Sequence, residues 1–313
     1  MVLDKLPVLS LADDPAEFSR AIGASFKTFG FALVKDFGIN SALIDHAWRL
    51  SEQFFALPED EKRRYHDPAI GGARGYTPFG VEIAKDAKLH DLKEFWHIGR
   101  DLPEGSPLAD LSMPPNIWPV RPAEFQAVFS ELYRQFDAAG ATILARIATY
   151  LGLDEHWFDA GIDQGNSVMR LLHYPPLVGL EGEAIRAGAH GDINLITLLL
   201  LGAEEAGLEL LTRQGTWISA SPPPGALVVN VGDMLERLTN DLLPSTIHRV
   251  RNPDPARAAY SRYSMPFFLH LRSDFVIRTL PQCVTPEQPD RYPTSILADD
   301  FLQQRLREIG LKK

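Results

Sequence analysis

Arg186-Ala-Gly-Ala-His190-Gly-Asp192-Ile-Asn-Leu-Ile-Thr197-Leu-Leu-Leu200 is the stretch whose reading decides the rest. In an extended strand, residues i and i+2 project to the same side. His190 and Asp192 can therefore aim an imidazole nitrogen and a carboxylate oxygen at one point. Two groups hold a metal ion poorly, and the candidate for a third is His248, in Pro244-Ser-Thr-Ile-His248-Arg-Val-Arg251, at 248 − 190 = 58 positions downstream. Alone, a His-x-Asp pair is common, and most His residues are surface groups or hydrogen-bonded core groups. With nine His residues in the chain, a second His adds little. The remainder of the sequence has to decide.

Composition narrows the classes. The 313 residues are 45% hydrophobic, enough for a large core, and β barrels and sandwiches reach this length as one unit. The formal net charge of −10 argues against nucleic acid as a partner, because phosphate recognition needs a basic face, and it argues more weakly against anionic membranes. Cys283 is the single cysteine, so no intrachain disulfide forms and a reducing compartment is expected. The start, Met-Val-Leu-Asp-Lys-Leu-Pro-Val-Leu, lacks the basic and apolar segments of a signal peptide. The run Leu195 to Leu201 is too short to span a bilayer. These features predict a cytoplasmic protein, taken to be monomeric or weakly self-associating.

Periodicity divides the chain. Leu6 to Leu11 reads as an edge strand; Asp13-Asp-Pro15 starts a helix through Phe29, and Gly30 to Phe37 is a strand. Ser41 begins and caps a second helix through Phe54-Phe55, and Pro58 to Arg64 reads as a charged, solvated turn. Gly71 to Lys88 forms a long loop, and Asp91 to Gly99 an alternating strand. Ala123 to Leu151 has apolar residues at helical spacing (Phe125, Val128, Phe129, Leu132, Phe136, Ile143, Leu144, Ile147) and backs a sheet. From Ser167 on, short strand signals separated by Gly, Pro, Asn and Asp indicate a sandwich or barrel. The expected class is mainly β with flanking helices around a double-stranded β-helix (jelly roll, cupin-like) core. Its divisions are 1–102, a helix and strand region capping the site; 103–166, a connection and backing helix; 167–280, the jelly-roll catalytic core; and 281–313, a C-terminal extension and helix.

Two His and one carboxylate with other positions open suit non-haem Fe(II), because dioxygen and a co-substrate must both reach the metal. A second signal is Arg262-Tyr-Ser264, whose alternate residues share one strand face. A guanidinium beside a hydroxyl can grip a carboxylate through two bonds, and Tyr174 of Arg170-Leu-Leu-His-Tyr174-Pro-Pro176 can join it. An isolated Arg-x-Ser would more often be an Arg paired with a surface Glu.

The ordered set of motifs resembles the isopenicillin-N-synthase-like branch of the Fe(II)/2-oxoglutarate-dependent dioxygenases. It comprises Phe29-Gly-Phe31, Gly38-Ile39, Phe54 to Lys62, Tyr174-Pro-Pro176, His190-Gly-Asp192, Thr197-Leu-Leu199, Gly225 to Asp233, His248-Arg-Val250 and Arg262-Tyr-Ser264. The resemblance implies that His190, Asp192 and His248 hold Fe(II), and that Arg262, Ser264 and Tyr174 bind the distal carboxylate of 2-oxoglutarate. It further implies that dioxygen is the second co-substrate, with succinate and carbon dioxide as co-products of oxidising a small organic molecule. Plant members usually carry Asn-Tyr-Tyr-Pro-Pro where this chain has Leu172-His173-Tyr174-Pro-Pro, so the Asn contact near the metal is missing here. Phe268, Tyr76, Arg74, Phe95 and His97 are the candidate substrate residues. His173, His270, His90 and His156 are read as non-ligands, and Gly225 to Asp233 as structural. Two rival readings remain: an iron oxidase of the same fold without 2-oxoglutarate, and a cupin-like metal-containing binding or sensor protein.

Overall fold

Asp14 starts the first helix by accepting hydrogen bonds from the backbone N–H groups of Ala16 (3.0 Å) and Glu17 (3.1 Å). That helix, α1 (Pro15–Phe29), buries Phe18, Ile22 and Phe26 along one face. Gly30 ends it at φ 69°, where a Cβ would lie 2.3 Å from Thr246 Oγ1, so glycine alone is accommodated. On either side run β1 (Val8–Ser10) and β2 (Phe31–Lys35), a parallel pair. The computed structural model describes residues 5–81, 93–109, 113–176, 187–202, 207–252 and 259–308. The expected loop beyond Val81, His90 and the Arg186 end of the key stretch lie outside them.

Helix α2 (Ser41–Phe55) begins where expected but with a different cap. Asn40 Oδ1 accepts from the N–H groups of Ala42 and Leu43 at 2.9 and 3.3 Å, and Ser41 lies inside the first turn. The next turn, α3 (Glu59–Lys62), corrects the reading of its charges as mere solvation: Glu61 and Lys62 are buried. Lys62 Nζ donates to both carboxylate oxygens of Glu94 at 2.9 and 2.7 Å and to the Phe55 carbonyl at 3.1 Å. Glu94 opens β4 (Glu94–Gly99), which pairs with β3 (Gly75–Thr77) and is buried on both faces. His173 Nδ1 lies 2.7 Å from the same carboxylate, and the Tyr76 hydroxyl donates to it.

Removing one partner of a buried ion pair leaves an uncompensated charge, which costs about 3–5 kcal/mol. Lys62→Met is expected to lower the unfolding free energy by about that much in urea titration, and a Lys62→Met/Glu94→Leu pair to recover part of it. Burial alone would raise the Glu94 pKa, but bonds from His173, Lys62 and Tyr76 outweigh it and hold the carboxyl below its ordinary range. A lowered folded-state pKa stabilises the protein above the unfolded carboxylate range, and this stability fades as pH falls through the folded value.

The long helix α4 (Phe125–Tyr150) buries the predicted stripe, and the short α5 (Asp159–Ile162) follows it. The remaining elements are β5 (Val168–Tyr174), β6 (Ala187–His190), β7 (Ile196–Leu201), β8 (Leu208–Leu211), β9 (Trp217–Ser219), β10 (Leu227–Val231), α6 (Asp233–Leu238), β11 (His248–Val250), β12 (Arg262–Leu269), β13 (Val276–Ile277), β14 (Ile296–Leu297) and α7 (Ala298–Glu308). Gly232 precedes Asp233 as the N-cap of α6.

Among the described residues, one sheet runs β1-β2-β10-β7-β12-β5-β4-β3 and a second runs β6-β11-β8-β9. Side chains from Phe31, Leu33 and Val228 of the first sheet meet Ala187, Leu208, Leu210 and Val250 of the second. This is the double-stranded β-helix. The other face of the large sheet carries the helices: Phe267 of β12 stacks on Phe136 at 5.6 Å and meets Tyr133 edge-on at 5.0 Å, both from α4. Strand alternation sends Met265, Phe267 and Leu269 toward that helical layer. It turns Arg262, Ser264, Pro266 and Phe268 into the cavity between the sheets.

Candidate active site

His190 and His248 stand directly opposite each other on the antiparallel pair β6 and β11, with ring centroids 4.4 Å apart. Cross-strand pairing thus removes the 58-residue gap between them. Asp192 joins them by a different route from the one expected. β6 ends at His190, so Asp192 lies in the turn leading to β7, not on a shared strand. Its main-chain carbonyl accepts from the Asp233 N–H at 2.7 Å, which anchors that turn to the start of α6. Among the described residues, His190, Asp192 and His248 each offer a ligand atom, all within 4.8 Å of one another, and His248 Nε2 is 3.8 Å from Asp192 Oδ1.

The hydrogen bonds around the trio suit a divalent metal. His190 Nδ1–H donates to the Gly188 carbonyl at 2.7 Å, and His248 Nδ1–H donates to that of Thr246 at 3.1 Å. In both rings Nε2 is the nitrogen left for another partner. His190 retains surface at the cavity mouth yet is enclosed on its other sides; this desolvation, joined by repulsion from His248, lowers its pKa to about 4. Neutral imidazole is the form a metal needs. For Asp192, burial alone would raise the pKa, but His248 and His190, with bonds from Asn230 and Thr197, hold it below the ordinary carboxylate value. A carboxylate beside two imidazoles fits the non-haem Fe(II) pattern.

Asn230, read from the sequence as part of a structural stretch, and Thr197, read only as part of a motif, both adjoin the cluster. Thr197 Oγ1 donates to Asp192 Oδ2 at 2.5 Å and Asn230 Nδ2 donates to the same oxygen at 2.8 Å, which leaves Oδ1 turned toward His248. The two face each other across β7 and β10. The signal was a polar side chain inside each of two apolar strands, Ile196 to Leu201 and Leu227 to Val231. Loss of such a partner typically weakens metal binding about 10–100-fold. Asn230→Ala is expected to do so in a chelator-competition titration of Fe(II), with the melting temperature little changed.

The far end of the cavity holds the second group of predicted residues. Arg262 is 1% exposed, sits opposite Tyr174 on β5 with its Cζ 5.1 Å from the ring centre, and donates from Nη1 to Ser264 Oγ at 3.3 Å. All three line the same cavity as the His-Asp-His cluster, a space of about 80 Å³. Leu172, which stands where plant members carry Asn, also lines it and adds an apolar wall. Among the described lining residues, Lys93, Arg170 and Arg262 are cationic and Asp192 is the one carboxylate. A buried guanidinium in that setting suits an anionic ligand such as the distal carboxylate of a dicarboxylate.

The five candidate substrate residues divide. Phe268 lines the cavity. Tyr76 turns into the core, where its hydroxyl serves Glu94 and its ring meets Phe54 at 6.0 Å. Arg74 packs over Gly99, where a Cβ would come within 1.9 Å of its Cζ, and donates to the Ala73 carbonyl at 2.7 Å. Both are buried on the side away from the cavity lining, because strand alternation and the helical cover take them there. Phe95 and His97 share the inner face but contact Arg170, which itself lines the cavity. Of the His residues read as non-ligands, His173 bonds Glu94 and Ser261, His156 pairs with Asp159 at the surface, and His270 is buried in the core.

Comparison with known proteins gives the family. Residues 6–121 match the family of the N-terminal region of non-haem dioxygenases in morphine synthesis, and residues 165–271 match the 2OG-Fe(II) oxygenase superfamily. A 2OG-Fe(II) oxygenase family protein from Caulobacter crescentus is 54% identical and superposes with a TM-score of 0.91 over 97% of this chain and 99% of that one. A full-length Neurospora crassa protein in complex with alpha-KG is 30% identical, with a TM-score of 0.86 over 97% and 96% of the two chains. The 2-oxoglutarate-Fe(II) type oxidoreductase hxnY of Emericella nidulans is 32% identical over 293 residues, 91% of this chain and 82% of that protein. With relatives matching over most of their length and a cavity that gathers two imidazoles, a carboxylate and a buried guanidinium, the chain belongs to the 2OG-Fe(II) oxygenase superfamily and is an iron- and 2-oxoglutarate-dependent dioxygenase.

Proposed function

We propose that His190, Asp192 and His248 hold the iron, that Arg262 with Ser264 and Tyr174 binds the distal carboxylate of 2-oxoglutarate, and that the substrate is a small organic molecule oxidised in the same cavity. The observation that carries this reading is the common lining shared by the His-Asp-His cluster and the buried Arg262. When bound, iron with 2-oxoglutarate and dioxygen supplies the oxidising chemistry, with succinate and carbon dioxide as co-products. The residues of this chain do the positioning. Thr197 and Asn230 orient the carboxylate, backbone carbonyls fix the two imidazole tautomers, and Arg262 sets the direction in which the oxo acid enters. Phe31, Leu199, Val250 and Phe268 line the cavity with apolar surface that limits water.

The motif order also supports placement in the isopenicillin-N-synthase-like branch. The net charge of −10 and the single cysteine support a cytoplasmic enzyme of small molecules, not of nucleic acid. Among the described residues, no helix is long and apolar enough to cross a membrane. The test is anaerobic loading with Fe(II), then admission of oxygen with 2-oxoglutarate and a metabolite library. Succinate formation that rises with one or more compounds is expected. Oxygen uptake without loss of 2-oxoglutarate would point to the oxidase reading instead, and neither uptake nor succinate to the binding protein.

A further inference from the structure

Arg170, Leu172 and Tyr174 occupy alternate positions on β5, and all three line the cavity. The register places Tyr174 opposite Arg262 and Leu172 opposite Ser264. Four strand positions therefore separate the Arg170 row from the Arg262 row, about 13 Å at a rise of about 3.3 Å per residue. Across the sheet, Phe268 pairs with Thr197 and Thr197 with Asn230, the two residues that hold Asp192. Phe268 also carries the Arg170 guanidinium over its ring. Arg170 thus stands at the His-Asp-His end of the cavity and Arg262 at the opposite end.

The Arg170 side chain is held in place. Its Nε–H donates to His97 Nε2 at 2.5 Å, and His97 Nδ1–H donates to the Gly72 carbonyl at 2.6 Å. The rings of Phe95 and Phe268 flank its Cζ at 4.3 and 5.6 Å. Charge points the same way. Three cations and one carboxylate line the cavity among the described residues. Leu172, Leu199, Pro266 and Phe268 add apolar surface to the lining.

We infer that Arg170 is the substrate-binding cation of this enzyme, and that its substrate class is a small organic acid whose carboxylate lies against Arg170 and whose apolar body faces Leu172, Leu199 and Phe268. His97 and Phe95 are positioning residues that act through Arg170. The inference rests on the site reading proposed above, and its test separates the two.

Protein loaded anaerobically with Fe(II) and 2-oxoglutarate is melted against small carboxylic acids, each beside its primary amide, and against amines; hexanoate, octanoate, benzoate and phenylacetate begin the panel, and a metabolite library extends it. The stabilising compounds are expected to be acids whose amides do nothing. The best acid is expected to bind Arg170→Gln about 10–100-fold more weakly, the usual loss for a hydrogen bond between charged groups. Arg170→Lys restores part of that affinity, and His97→Leu weakens it several-fold by releasing the guanidinium. Best ligands that are neutral or cationic, no acid that stabilises the wild type, or wild-type affinity in both Arg170→Gln and His97→Leu would each overturn the assignment. Stabilisation by 2-oxoglutarate alone is the internal control. Its absence in the wild type would overturn the underlying co-substrate reading instead.

Discussion

Asp192→Ala protein is expected to purify without iron and to form no succinate. The two imidazoles that remain come from facing strands, whereas Asp192 supplies the carboxylate donor of the cluster. Losing an outer hydrogen-bonding partner of a metal ligand costs about 10–100-fold in affinity, and losing the ligand itself exceeds that range. The fold should survive, because Asp192 lies in a turn and its removal takes a charge out of a buried setting. Thr197 and Asn230 lose an acceptor but retain each other's neighbourhood and that of Asn194. Metal analysis after dialysis against a chelator reads the result, with the melting temperature as the check on folding. His190→Ala is expected to behave in the same way. Iron at wild-type stoichiometry in either variant would remove these residues from the metal site.

Arg262→Ala is expected to separate the two functions of the cavity. Iron content should stay at the wild-type level, while the 2-oxoglutarate concentration needed for half-maximal succinate formation rises about 30-fold or more. Truncating one partner of a buried, hydrogen-bonded charge pair costs about 2–5 kcal/mol, and each 1.4 kcal/mol is about a factor of ten. Arg262 meets the condition of burial, at 1% exposure, with Ser264 and Tyr174 beside it. Arg262→Lys keeps the charge without the planar fork and should fall between the two. Titration of 2-oxoglutarate into the Fe(II) protein under anaerobic conditions measures the effect directly. Wild-type affinity in Arg262→Ala would refute the assigned role.

Features governed by near neighbours were legible in the chain. Asp14 caps α1 because a carboxylate two or three residues ahead of open N–H groups reaches them without tertiary help. The stripe of α4 and the alternation of β12 follow from helix and strand periods alone. Where two local candidates competed, the reading slipped: Asn40, not Ser41, caps α2. Where the partner was distant, it failed. Lys62 looked solvated until Glu94 came over it, and Arg74 and Tyr76 looked like substrate residues, whereas the fold buries them away from the cavity lining.

The sequence by itself determined the chemistry of the site: which side chains can bind a metal, which can bind a carboxylate, and in what order they occur. Residue type sets donor atoms and charge, and these do not depend on the fold. Tertiary structure alone decided their convergence. His190 meets His248 through antiparallel register, Asp192 is aimed by Thr197 and Asn230 from two other strands, and Arg170 takes its place through His97 and Phe95 on a neighbouring one. Each of these depends on hydrogen-bond register and packing between segments far apart in the chain, which no local pattern encodes.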